Sequence, residues 1–153
     1  MLVKEIMNKD VATCTPPEDL ASASRVMQEY NCGFVPVVDN QGKVAGVVTD
    51  RDICLAVGSN KIRAVGTIPL TETMSHPVYT CNPNENIKVA LAIMAKHRVR
   101  RLPVVDENGH LEGILSVDDV VRMPHVRGMP TSNDIVEALR GVIPTRTIPA
   151  VLV

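Results

Sequence analysis

Two four-residue strings carry the side chains best suited to chemistry, Thr49-Asp50-Arg51-Asp52 and Ser116-Val117-Asp118-Asp119. Each sets a hydroxyl three residues ahead of a carboxylate. At a helix start this spacing forms a capping box, in which the hydroxyl and the carboxylate satisfy free backbone N–H groups. The same geometry suits a nucleotide. A helix N-terminus attracts phosphate, the hydroxyl can hydrogen-bond it, and a short carboxylate can accept two bonds from a ribose diol. The residues alone leave both uses open. The basic run Lys96-His97-Arg98-Val99-Arg100-Arg101 adds cations. Lys96 and His97 suit a helix C-terminus, where cations offset the macrodipole. Arg100 and Arg101 lead directly into an apolar run and are candidate phosphate partners, as is Arg51.

The two strings are not equivalent, because Asp118 stands where the first string has Arg51. A second carboxylate near a phosphate would repel it. The second site is therefore expected to take a less charged ligand, or none.

Other chemistry finds little support. The chain has no GxxxxGK[ST] phosphate loop, no HExxH and no GxSxG elbow, so no catalytic residue is assigned and no enzyme is expected. His76, His97, His110 and His125 have no spacing that makes a metal site. Cys14, Cys32, Cys54 and Cys81 are scattered without a CxxC pair, which fits reduced thiols in the cytoplasm better than a disulfide framework or a metal centre. A cysteine-based metal or redox sensor remains one alternative, and an interaction scaffold whose strings are only caps is another.

Composition narrows the field further. At 153 residues, 45% apolar and 22% charged, the chain suits one compact domain or two small units sharing a core. A net charge of −1, no Trp, one Phe and two Tyr argue against nucleic acid as a partner. No run approaches the roughly 18 apolar residues of a membrane span, and MLVKEIMNKD carries charge too early for a secretory signal.

The elements that position these strings are written twice. At one gapless offset of 67, Met7 falls on Met74, Cys14 on Cys81, Pro36-Val37-Val38-Asp39 on Pro103-Val104-Val105-Asp106, Gly42 on Gly109 and Asp52 on Asp119. Each copy is too small to bury a good core alone. In each copy a brief strand (Val11 to Cys14, Val78 to Cys81) is followed by an N-cap residue, Asp19 or Asn86. A helix then shows an apolar face at Leu20, Ala23, Met27 and Tyr30, or at Ile87, Ala90 and Met94. A hairpin follows, Phe34 to Val38 with Val44 to Val48, or Leu102 to Val105 with Leu111 to Leu115, turning through DNQG or DENG. A last helix starts at Thr49 or Ser116. The fold class is α/β, in α+β layers, with boundaries at 3–58 for the first repeat, 59–69 for a linker, 70–123 for the second repeat and 124–153 for an extension. That extension holds a helix capped by Thr131, with Ile135, Val136 and Leu139 as its apolar face, and an extended tail PTRTIPAVLV docked on another surface or on a second chain.

This layout, with PVVD before each hairpin and G-x-x-[ST]-x-x-D after it, resembles a tandem pair of cystathionine β-synthase (CBS) domains, or Bateman module, and in particular the small stand-alone bacterial CBS pairs. The resemblance covers about residues 3–121. It implies a pseudo-two-fold pair of repeats that binds an adenosine-containing ligand between them: AMP, ADP or ATP, or alternatively NAD or S-adenosylmethionine. It also implies a regulatory role without a catalytic cofactor and a homodimer whose protein partner is unnamed. Carried onto this sequence, Asp52 and Asp119 would bind ribose, and Thr49 and Ser116 would bind ribose or phosphate. Thr13, Cys14 and Thr15 with Phe34, Val35 and Pro36 would contact adenine in one half, largely through backbone. Thr80, Cys81 and Asn82 with Arg101, Leu102 and Pro103 would do so in the other.

Overall fold

The computed structural model describes residues 1–59, 63–123 and 130–143. Each repeat builds the same set of elements. Helix α1 (Leu20–Glu29) is capped by Asp19, whose carboxylate accepts the Ser22 N–H at 2.8 Å. Helix α3 (Ile87–His97) is capped by Asn86, which accepts the Lys88 N–H at 2.9 Å. Strands β1 (Phe34–Val38) and β2 (Val44–Thr49) pair antiparallel, as do β3 (Arg101–Val105) and β4 (Leu111–Ser116). The registers correspond, with Phe34 opposite Thr49 and Arg101 opposite Ser116. The hairpin turns use Gly42 and Gly109 at φ +78° and +87°, a conformation in which a side chain is strained. Asp39 and Asp106 fold these turns by accepting two backbone N–H bonds each, and His110 holds the Asp106 carboxyl down to about 2. Helices α2 (Asp50–Ser59) and α4 (Val117–Arg122) follow directly on β2 and β4.

The expected strands Val11 to Cys14 and Val78 to Cys81 do not form as such. Only Cys14 and Cys81 pair, each in a single parallel bridge, to Val37 and Val104. The ladder cannot extend back along the expected strands because the preceding rung would need an N–H from Pro36 or Pro103, which proline lacks. Tyr30 also departs from expectation. It ends α1 at 55% exposure instead of completing its apolar face.

The two cores are interlocked through their leading segments. Residues 2–8 do not lie on the repeat they precede. Val3 donates to the Glu85 carbonyl, Asn8 and Ile114 exchange backbone bonds at 2.9 Å, and Val3 is buried in the core of the second repeat. The stretch 68–75 makes the equivalent crossing. Leu20 donates to Ile68 at 3.0 Å, Ser75 donates to Val47 at 2.8 Å, and Ile68 and Leu70 fill the core of the first repeat. The two turns also meet, Val44 donating to Gly109 and Leu111 to Gly42, both at 3.1 Å. Each repeat thus completes its core with residues from outside its own run of elements, as its small size requires.

Helix α5 (Ser132–Val142) lies on α3, where Ala138 and Val142 join the second core. Ile135 and Leu139 pack there as expected, whereas Val136 points to solvent at 42% exposure. The offset between repeats explains why α5 covers α3 and not α1. Ser24, Arg25 and Gln28 of α1 become Leu91, Ala92 and Ala95 in α3, giving α3 a second apolar face. The expected tail at 144–153 lies outside the described residues.

Candidate functional site

Where β2 runs into α2, Thr49 and Asp52 make the capping box. Asp52 Oδ2 accepts the Thr49 N–H at 2.9 Å and its hydroxyl at 2.7 Å, while Thr49 Oγ1 accepts the Asp52 N–H at 3.2 Å. Ser116 and Asp119 repeat the pattern at 2.8, 2.6 and 3.1 Å. A third box, Thr131 with Asp134 at the start of α5, has bonds of 2.7, 2.8 and 3.2 Å and lies outside the duplicated elements. Box geometry by itself therefore identifies no ligand site. Surroundings distinguish the first box from the others.

Thr49, Asp50, Arg51 and Asp52 line a cleft of about 510 Å³, together with Gly33, Phe34 and Val47 of the first repeat. Its other wall is the second repeat: Ser75, Pro77, Val78 and Tyr79, then Arg98, Val99, Arg100, Arg101 and Pro103, with Val142 of α5 at one edge. Among the described residues, Asp52 Oδ1 takes no hydrogen bond, so one carboxylate oxygen remains available after capping. Tyr79 is stacked on His97, with ring centroids 3.7 Å apart and planes 19° from parallel. Arg98 closes α3 in the left-handed conformation at φ +56°, and its counterpart Asn31 does the same for α1 at +48°. Arg100 approaches Asp118 at 3.4 Å with both side chains well exposed, a weak pairing that leaves the guanidinium open to competition.

Of the residues singled out from sequence, the cleft gathers Phe34, Thr49, Arg51, Asp52, Arg100, Arg101 and Pro103. The others lie elsewhere. Ser116 and Asp119 are outside this cleft, and Thr13 lines a separate depression of about 250 Å³ with Lys9 and Leu111. The side chains of Val35 and Leu102 are fully buried in the cores, and Pro36 is buried beside them. Cys14 and Cys81 are buried too, and their backbone N–H and C=O groups are engaged by the strand beside them. Thr15 is tied to Glu18, its hydroxyl donating at 2.9 Å. Asn82 receives the Glu85 N–H through its backbone carbonyl and the Asn84 N–H through its side chain, and Thr80, like Asn82, is not part of the cleft wall. Val78 and Tyr79 of the wall carry no signal in the sequence that points to a site, and Arg98 stands out only as one member of the basic run. Each repeat's own stretches were matched to its own string, whereas the cleft faces the first string with the second repeat.

The two buried thiols, Cys14 and Cys81, are poorly placed for redox chemistry. Burial pushes Cys14 and Cys81 up to about 12, with Glu18 and Glu85 adding to the effect, so both stay protonated. Among the described residues, no group of three His, Cys, Asp or Glu side chains is gathered to hold a metal. No helix among them is long and apolar enough to cross a membrane.

Two copies of one unit, with a cleft lined by both, define a class of duplicated regulatory modules. The CBS domain model matches residues 3–59 and 65–125, and the chain belongs to the CBS domain family. It is 39% identical over 118 residues to the CBS domain-containing protein YhcV of Bacillus subtilis, covering 77% of this chain and 81% of that one. A match to the inosine-5′-monophosphate dehydrogenase of Methanocaldococcus jannaschii is 31% identical but spans only 22% of that enzyme. Among solved structures, the CBS domain pair of protein MJ0100, in complex with 5′-methylthioadenosine and S-adenosyl-L-methionine, superposes with a TM-score of 0.73 at 29% identity, covering 80% of this chain and 94% of that one. Hypoxic Response Protein I, with two coordinated zinc ions, also gives 0.73 at 29% identity, over 81% and 100% of the two chains.

Proposed function

We propose that this chain is a non-catalytic regulatory module of the cytoplasm that binds one adenosine-containing ligand, of the AMP, ADP or ATP class, in the cleft between Thr49–Asp52 and Arg98–Arg101. The observation that carries this is the cleft itself. It draws its walls from both repeats, holds a carboxylate with an uncommitted oxygen, and sets guanidinium groups around it. Its volume lies within the range of roughly 300–1,000 Å³ common for small-molecule sites. Asp52 Oδ1 would accept the ribose hydroxyls, and the α2 N-terminus with Arg101 would take phosphate. A ligand touching both repeats favours the arrangement in which they are closest, which is how occupancy shifts an equilibrium between states. The adenosyl ligands named with MJ0100 support the ligand class.

A homodimer is part of the proposal. Helix α2 buries none of its residues, Leu55 and Val57 are 58% and 42% exposed, and Val121 of α4 is 54% exposed. Exposed apolar side chains on the last helix of each repeat offer surface that a second copy could cover. The scaffold alternative draws on the Thr131–Asp134 box, which shows that the motif forms as a cap away from the cleft between the repeats.

Calorimetric titration with AMP, ADP, ATP, NAD, S-adenosylmethionine and zinc separates these readings. The proposal expects a phosphorylated adenosyl compound to bind once per chain. Binding of zinc alone would favour a metal sensor, and a flat panel would favour the scaffold.

A further inference from the structure

The cleft is cationic in a chain whose net charge is −1. Its walls carry Arg51, Arg98, Arg100 and Arg101 against Asp50 and Asp52. They differ in burial: Arg101, at the start of β3, is half-buried, while Arg51, Arg98 and Arg100 are exposed. A single phosphate beside the α2 N-terminus would meet the half-buried group and leave Arg98 and Arg100 unused.

Arg98 is also the wrong residue for its backbone. It sits at φ +56°, at the left-handed end of α3, where glycine or asparagine is the unstrained choice. At the equivalent end of α1 the same chain uses Asn31. The turn itself is an ordinary helix end, closed by the Val99 N–H on the Met94 carbonyl at 3.0 Å, but Arg98 makes no ion pair among the described residues that would account for arginine at this position. Strain held at a cleft wall, by a side chain able to bind what enters the cleft, points to the ligand.

We propose that Arg98 is a specificity-determining residue that recognises phosphate beyond the first, so that the cleft selects adenosine di- or triphosphate over the monophosphate and over uncharged or cationic adenosyl compounds. This rests on the nucleotide function proposed above and deepens it. The inner phosphate is held by Arg101 and the helix N-terminus. The outer one reaches Arg98 and draws Arg100 from Asp118, whose 3.4 Å contact is weak enough to yield.

The test is titration calorimetry of the full chain with AMP, ADP and ATP in buffer free of divalent cations, for the wild type, Arg98→Asn and Arg98→Gly. Wild type binds ATP or ADP at least about tenfold more tightly than AMP, the loss expected for one charge-assisted contact. Both variants bring that ratio below about threefold by weakening ATP and ADP more than AMP, and unfold at or above the wild-type midpoint because the strain is relieved. Equal affinity of wild type for AMP and ATP overturns the inference while leaving the nucleotide function standing. So does an unchanged ratio in the variants, or a loss shared equally by AMP and ATP. Failure of all three nucleotides to bind wild type overturns both.

Discussion

Replacing Asp52 by alanine separates capping from ligand binding, because the molecule contains its own controls. In wild type Asp52 Oδ2 closes the start of α2 through bonds of 2.9 and 2.7 Å, and Oδ1 remains available to the cleft. Loss of the cap should cost about 0.5–2 kcal/mol of stability. For a chain of this size that lowers the unfolding midpoint by roughly 1–8 °C. Loss of a charge-assisted pair to ribose should cost a further 1.5–3 kcal/mol of binding, weakening the ligand by about ten- to a hundredfold. Asp119→Ala removes an equivalent box, with bonds of 2.8 and 2.6 Å, from a helix start outside the cleft. It should lower stability by a similar amount and leave affinity within about twofold. Asp134→Ala removes the third box and should behave like Asp119→Ala toward ligand. Asp52→Asn keeps an acceptor for Thr49 and so guards against a variant that simply unfolds. Denaturant unfolding gives the first quantity and calorimetry the second. Equal loss of affinity in all three alanine variants, or none in Asp52→Ala, would refute the argument.

Other perturbations follow from the same contacts. A side chain at position 141 has no room, since a Cβ there would come within 2.7 Å of Ala95 Cβ and 3.0 Å of its Cα. Gly141→Leu should force α5 off α3 at a cost of about 1–3 kcal/mol, and proteolysis of residues 130–143 should accelerate. Limited digestion followed by mass spectrometry checks this. Hydrogen bonding to Lys88, then to Thr131, holds the Asp134 carboxyl down to about 2. Its contribution is present above the unfolded value near 3.9 and is lost as pH falls through about 2. The difference in midpoint between wild type and Asp134→Asn should therefore shrink between about pH 4 and pH 2. Cys14 and Cys81, pushed up to about 12 chiefly by burial, should ignore a thiol reagent in the native state, while exposed Cys54 reacts at once and all four react in denaturant. Because those raised values favour the protonated thiol, the native state should lose stability as pH climbs above about 9.

Much of the fold was legible in particular residues. The gapless offset exposed the duplication, Asp19 and Asn86 announced α1 and α3, and the DNQG and DENG turns set both hairpins. Self-similarity could not show which repeat a segment packs on, because an offset relates equivalent positions and says nothing of contacts between copies. The crossing of 2–8 and 68–75 was hidden for that reason. So was the pairing of the first string with the second-repeat wall: Arg100, Arg101 and Pro103 of that wall were legible, while Val78 and Tyr79 were not. The covering of α3 by α5 left a readable trace, the change of Ser24, Arg25 and Gln28 into Leu91, Ala92 and Ala95, but that difference counts only when the two helices are compared. The hydroxyl-x-x-carboxylate motif was the least informative signal, since Thr131–Asp134 reproduces its geometry away from the cleft between the repeats.

Amide hydrogen exchange with and without the tightest-binding adenosine nucleotide tests the central claim most directly. The account predicts added protection at residues 47–52, 78–79 and 98–103 together, the two walls of one cleft closing on one ligand. Protection confined to residues 116–119, or none at a saturating nucleotide concentration, would contradict it.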